Sequence, residues 1–192
     1  MIVIIKYNAG NITSVQNALN RLGYESIITD DEDEIRYAEK VIFPGVGEAS
    51  TAMQYLQERK LDTLIKSLIQ PLLGICLGQQ LMCTHSEENN TACLGIFNAT
   101  VNLFPPTALV PHMGWNNVEA NNSELLKGIS VEDNFYFVHS YYATISENTM
   151  ATCNYILPFS AAMQKDNFYA TQFHPEKSAE VGERVLKNFL EI

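Results

Sequence analysis

Cysteine is scarce in this chain: four among 192 residues, at Cys76, Cys83, Cys93 and Cys153. They show neither the close pairs of a zinc site nor the density of a secreted disulfide scaffold, and a reducing cytoplasm fits best. Positive charge is also short, with 12 Lys and Arg against 22 Asp and Glu and a formal net charge of -10. That balance argues against nucleic acid, whose phosphates select basic surfaces. An acidic surface can steer a basic protein partner, but solubility is the simpler reading. There is no run of about 18 apolar residues, hence no expected membrane span. The start, Met1 to Tyr7, lacks the charged opening, long apolar centre and cleavage site of a signal peptide and reads as a strand. Repeats, low-complexity tracts and linkers are absent too, so residues 1–192 read as one domain, long enough to bury a core.

Periodicity then orders the chain. Ile2 to Tyr7 is a β-branched run followed by the polar turn Asn8-Ala9-Gly10-Asn11, whose last residue can cap a helix. Ile12, Val15, Leu19 and Leu22 recur at helical spacing, Gly23 stops that helix, and Glu25 to Thr29 supply a second strand. A third strand, Lys40 to Phe43, runs into Pro44-Gly45-Val46-Gly47 and a helical region from Glu48 to Ile69. Leu72 to Ile75 is the fourth strand. This alternation predicts an α/β fold of three layers: a mostly parallel central sheet with flanking helices. From about Gly95 short strand-like runs separated by Pro105-Pro106, Asn116-Asn117 and Asn121-Asn122 predict an antiparallel addition. Ser178 to Leu190 reads as a closing amphipathic helix, with Val181, Val185, Leu186 and Phe189 on one face.

The fourth strand ends in Gly74-Ile75-Cys76-Leu77-Gly78. Gly-x-Cys-x-Gly has the form of a nucleophile elbow, where flanking glycines let the backbone crowd and push the nucleophile out of a strand-to-helix turn. A mid-chain cysteine in apolar surroundings is ordinarily a packing residue, which is the reading for Cys83, placed about two turns into the helix, and for Cys93 and Cys153. The elbow spacing sets Cys76 apart. A nucleophilic cysteine needs a base, and Phe173-His174-Pro175-Glu176 offers one. His174 and Glu176, two apart in an extended segment, face the same side, so the carboxylate can orient the imidazole. His-x-Glu by itself is equally a surface pair at a strand end, and without a second His-rich cluster it does not point to metal. Pro44-Gly45-Val46-Gly47, by itself only a turn, follows a neighbouring strand. Either Val46 or Gly47 can present an N–H beside that of Leu77 as an oxyanion hole.

With these stretches in this order, the chain resembles the class I (triad) glutamine amidotransferases over nearly its whole length. Within that family it looks like the glutaminase branch serving imidazole glycerol phosphate synthase. The signals are Pro-Gly-Val-Gly at 44–47, Pro111-His112-Met113-Gly114-Trp115-Asn116, Phe135 to Tyr141, and Lys177 directly after Glu176. Two departures are plain: Lys6-Tyr7-Asn8-Ala9-Gly10-Asn11 stands where Asp-Tyr-Gly-x-Gly-Asn is common, and Gln79 where Met is common.

The resemblance implies a catalytic triad of Cys76, His174 and Glu176 and an oxyanion hole from Val46, Gly47 and Leu77. It also implies glutamine contacts from Gln80 and from backbone around Ser140 and Tyr141. No cofactor or metal is called for. It implies a heterodimer with a (β/α)₈-barrel cyclase that receives the ammonia, with Tyr136 and Lys177 at the interface; alone, these two read as a core aromatic and a solvated charge. Other readings stay open: the same chemistry serving another synthase, a free-standing γ-glutamyl hydrolase, or a binding subunit with a vestigial triad.

Overall fold

The computed structural model describes residues 1–8, 10–121 and 123–192. In chain order the elements are β1 Ile2–Ile5, α1 Ile12–Arg21, β2 Ser26–Thr29, α2 Glu32–Arg36, β3 Lys40–Gly45, α3 Ala49–Glu58, α4 Leu61–Ser67, β4 Leu72–Cys76 and α5 Leu77–Met82. There follow β5 His85–Ser86, β6 Thr91–Ala92, β7 Thr100–Leu103, β8 His112–Asn117, β9 Glu119–Ala120, β10 Asn134–His139 and β11 Tyr141–Ala143. β12 Thr149–Asn154, β13 Pro158–Lys165, β14 Phe168–Thr171 and α6 Ala179–Glu191 complete the chain.

Eight strands form the main sheet in the order β2-β1-β3-β4-β14-β13-β12-β9. The first five are parallel and the last three antiparallel. β8 and β10 pair as a separate ribbon, and β11-β7-β5-β6 make a small sheet. The fold is thus the expected mixed α/β architecture. The inner parallel strands are buried on both faces, which is why β1 is apolar throughout, while the edge strand β2 is half-buried. Ile2 and Ile4 join one core with Val15 and Leu19 of α1 and Val185, Leu186 and Phe189 of α6. Val3 and Ile5 join the other, with Leu56 of α3 and Leu64 of α4. Phe189 is fully buried, a contribution of about 1.5–3 kcal/mol from its side chain.

Several expectations needed correction. The first strand stops at Ile5 and the second starts at Ser26. Asn11 stands before α1 in the left-handed region, φ 70°, and makes no side-chain cap. Within that turn Ala9 lies outside the described residues, as does Asn122 of the Asn121-Asn122 turn. A helix, α2, was not foreseen, although Asp31 caps it by accepting from the N–H groups of Asp33 and Glu34, each at 3.0 Å. The helical region from 48 to 69 is two helices, because Lys60 turns left-handed at φ 57°. Asn116-Asn117 end β8 rather than forming a turn. The late region is not all antiparallel, since β14 returns to pair parallel with β4. That return puts the ends of β3, β4 and β14 side by side.

Candidate active site

Ligands of open α/β sheets bind beyond the carboxyl ends of parallel strands. Here three such ends adjoin: Gly45 of β3 is in register with Cys76 of β4, and Thr171 of β14 with Ile75. At the middle one the chain turns directly from strand to helix on Cys76, whose φ of 54° and ψ of -106° are strained for a residue with a side chain. The elbow glycines are required by crowding. A Cβ on Gly78 would lie 1.9 Å from the Phe43 carbonyl oxygen, and one on Gly74 2.7 Å from the Met82 sulfur. The helix that follows has only six residues, so Cys83 sits at its end rather than two turns in. All four cysteines are free. Burial pushes the Cys83 and Cys153 thiols well up, Cys153 to about 12, which leaves them as packing residues.

Beyond β14 the chain reaches His174. Pro175–Lys177 is a 3₁₀ turn, not the extended segment expected, closed by Lys177 N–H donating to His174 C=O at 3.0 Å. The turn still brings Glu176 back: His174 Nδ1 donates to its Oε1 at 2.8 Å, with both side chains buried. His174 Nε2 is buried with no hydrogen-bond partner at ordinary geometry among the described residues, and it lies beside the Cys76 sulfur. Burial alone would lower the His174 pKa; the neighbouring Cys76 and Glu176 charges outweigh it and raise it well above the usual imidazole value. Cys76, His174 and Glu176 are therefore brought together.

A cavity of about 260 Å³ opens in front of Cys76. Val46, Gly47, Leu77, Gln80, Ser140 and Tyr141, all expected at the site, line it, together with Glu88, Pro111, Val138 and His139. The Val46 carbonyl accepts from the Gly10 N–H at 3.1 Å, which ties the Val46–Gly47 peptide to the turn after β1. Gln80 Nε2 donates to the Tyr141 carbonyl at 2.9 Å and to Gln172 Oε1 at 3.0 Å, committing both amide hydrogens and leaving its Oε1 to meet a ligand. Gln172 Nε2 in turn lies 3.6 Å from Cys76 Sγ. Gln79 points elsewhere, donating to the Ser160 carbonyl at 2.8 Å, so the departure from Met leaves the cavity untouched.

A second buried histidine pair supports the cavity wall. His139 Nδ1 lies 2.7 Å from the Tyr141 carbonyl, which can only accept, so its Nε2 is the acceptor for His112 Nδ1 at 3.0 Å. The His139 ring is thereby neutral, and burial lowers the pKa of His139 to about 3 and of His112 to about 4. On the outer side of the same ribbon Met113 and Trp115 are exposed, and Trp115 meets Tyr136 edge-on at 6.0 Å. The Lys177 ammonium sits 5.9 Å from the Tyr136 ring centroid, so the two expected interface residues touch each other.

Sequence reasoning gave no such role to five residues. Glu88, the one carboxylate lining the cavity among the described residues, lies in Glu87-Glu88-Asn89-Asn90, a stretch without a motif to mark it. It accepts from the Ala49 N–H at 2.7 Å, and burial raises its pKa. Gln172 was visible only as a neighbour of His174. The His112–His139 contact spans 27 residues and had no local signal. Asn11, read as a cap, donates from Nδ2 to Glu176 Oε1 at 2.5 Å.

Comparison with known proteins gives the family. Residues 3–192 match the family described as glutamine amidotransferase class-I, and the chain belongs to that family. Among its relatives is the imidazole glycerol phosphate synthase subunit HisH of Bacteroides fragilis strain YCH46, 59% identical, with the match covering 100% of this chain and 99% of that protein. The HisH protein from Escherichia coli K12 is 48% identical, covering 100% and 99%. In fold, the chain is similar to a protein from Thermoplasma acidophilum described as a component of GMP synthase, with TM-score 0.76 at 20% identity, covering 100% of this chain and 92% of that one. It is also similar to PurLQS from Thermotoga maritima, with TM-score 0.75 at 15% identity and coverage of 99% and 97%.

Proposed function

We propose that this chain is the glutaminase subunit of an imidazole glycerol phosphate synthase. It hydrolyses glutamine to glutamate and ammonia and passes the ammonia to a (β/α)₈-barrel cyclase in a cytoplasmic heterodimer. The observation that carries the reading is the junction of Cys76, on a strained elbow, with the buried His174–Glu176 pair at 2.8 Å. The full-length likeness to HisH proteins supports the choice of synthase.

In this mechanism His174 takes the Cys76 proton, and the sulfur attacks the side-chain amide carbon of glutamine. Negative charge gathers on the amide oxygen, met by the N–H of Leu77 and by an N–H of Val46 or Gly47. The raised His174 pKa keeps the acquired proton available for the leaving nitrogen, which departs as ammonia and leaves a glutamyl thioester. Water, deprotonated by the now neutral His174, cleaves the thioester to glutamate, and the proton returns to the Cys–His pair. Glu176 holds the ring oriented throughout. The α-ammonium of glutamine meets the Glu88 carboxylate and Gln80 Oε1, while backbone around Ser140 and Tyr141 borders the rest of the α-carbon end.

Free ammonia in neutral water is taken up as ammonium, so a dry handover is needed. The Met113, Trp115 and Tyr136 surface, beside Val138 at the cavity mouth, is the docking face in this reading, with Lys177 guarding the passage. Glutaminase activity is low in the isolated chain and rises when the cyclase carries its nucleotide ligand, a coupling between two sites. The test is ammonia release by the chain alone, with cyclase, and with cyclase plus ligand, using Cys76→Ala as the blank. Equal, vigorous activity in all three would refute the coupling and the partner; no release in any would refute the chemistry.

A further inference from the structure

Asn11 is placed in a way that capping does not explain. It precedes α1, the position where an Asn side chain normally accepts from the helix's free N–H groups. Here it does not: the residue is left-handed, φ 70° and ψ 5°, and its amide is turned away from α1. The amide nitrogen reaches across 165 positions of sequence to Glu176 Oε1 at 2.5 Å, the same oxygen that accepts from His174 Nδ1–H. A carboxylate only accepts, so the NH₂ edge faces it. The other oxygen, Oε2, is buried with no hydrogen-bond partner among the described residues, so Asn11 and His174 are the donors that hold this carboxylate. Asn11 is itself half-exposed, and the neighbouring Gly10 N–H binds the Val46 carbonyl.

We infer that Asn11 is a positioning residue for the Cys76–His174–Glu176 array, a fourth member that holds the Glu176 carboxylate aimed at His174. The inference rests on the reading of that array as a glutaminase triad. Two donors on one oxygen set the carboxylate plane, and the plane sets the imidazole. With only His174 left as donor, a buried carboxylate is free to rotate, and that loosens the ring that must move protons to and from Cys76. Because the amide comes from a half-exposed turn, the triad is anchored to the surface at this point rather than sealed inside the core.

Two substitutions separate this role from a structural one. Asn11→Gly removes the amide while suiting the left-handed backbone, so the fold is retained. Asn11→Asp keeps the shape but sets a second carboxylate against Glu176, with His174 and Cys76 the other titratable groups of the cluster. At saturating partner, both should lower glutaminase kcat about ten- to a hundredfold, the scale of one hydrogen bond to a charged group, with the glutamine KM within about twofold. The Asn11→Asp loss should shrink as pH falls from about 8 to 6, because a proton shared between the two carboxylates restores a donor. The Asn11→Gly loss should not change with pH in that way.

Alkylation of Cys76 by iodoacetamide, read by peptide mass spectrometry on the full chain, gives a measure independent of glutamine and should slow in both variants. Wild-type kcat and wild-type alkylation in both variants would overturn the inference. So would a loss confined to KM, or a pH-independent loss accompanied by a lower melting temperature. If the wild-type complex releases no ammonia while Cys76 alkylation still depends on Asn11, the positioning role stands and the glutaminase reading falls.

Discussion

Two buried histidine sites, one beside Cys76 and one in the cavity wall, behave in opposite ways. His174 is 1% exposed and His139 6%, yet the first is held above the ordinary imidazole pKa and the second is lowered to about 3. Burial pushes both down. The difference is the company: His174 has the Cys76 sulfur beside it and a carboxylate at 2.8 Å, whereas His139 has a carbonyl oxygen and another imidazole. A charge nearby makes a histidine a carrier of protons; a neutral acceptor makes it a brace. In this protein the brace holds the Tyr141 carbonyl, which also takes the Gln80 amide that faces the cavity.

The contrast breaks most completely if the carboxylate is removed. Glu176→Gln should turn the His174 site toward the other kind, lowering its pKa and reducing glutaminase kcat by about three orders of magnitude, with folding retained. Steady-state kinetics beside a thermal melt would check both halves.

The next effect is on stability and has a definite sign. His112 and His139 have folded pKa values of about 4 and about 3, below the roughly 6.5 of the unfolded chain. As pH falls through that window the unfolded chain binds protons that the folded one excludes, so stability present above about pH 6.5 is lost on acidification. His174 runs the other way: its raised value contributes stability below the unfolded pKa, lost as pH rises through the folded one. Denaturant melts between pH 7 and 4 should show a shallower acid loss, by about 2 kcal/mol, in His139→Gln than in the natural chain. The same substitution should raise the glutamine KM more than it lowers kcat.

A smaller effect belongs to the ribbon that carries His112 inward and Trp115 outward. Trp115→Ala should weaken partner binding by about 1–2 kcal/mol while leaving the melting temperature nearly unchanged. Titration calorimetry would read the first and a thermal scan the second. Smallest is Cys83→Ala, expected to cost about 1 kcal/mol of stability and no activity, since that buried thiol is a packing residue.

What could be read in the chain followed from the range of each cause. Gly74-Ile75-Cys76-Leu77-Gly78 announces its turn because crowding against Phe43 and Met82 acts on the glycines themselves, and β1, α1 and α6 show in their own spacing which faces are buried. His174 and Glu176 are near neighbours, so their meeting survived even though the segment is a turn rather than extended. The break at Lys60 carried no proline or glycine to mark it. Asn11 misled for a physical reason: the side chain that suits a helix cap also suits a carboxylate, and only the fold decides which is nearer.

The amino-acid sequence by itself therefore determined the parallel α/β core, the elbow at Cys76 and the order of the three segments that meet there, because hydrophobic period and backbone crowding are local. Tertiary structure alone decided that His112 and His139 pair to brace the Tyr141 carbonyl, that Glu88 faces the cavity, and that Asn11 donates to Glu176. Each of those depends on charge and hydrogen-bond partners set side by side only once distant strands are in register.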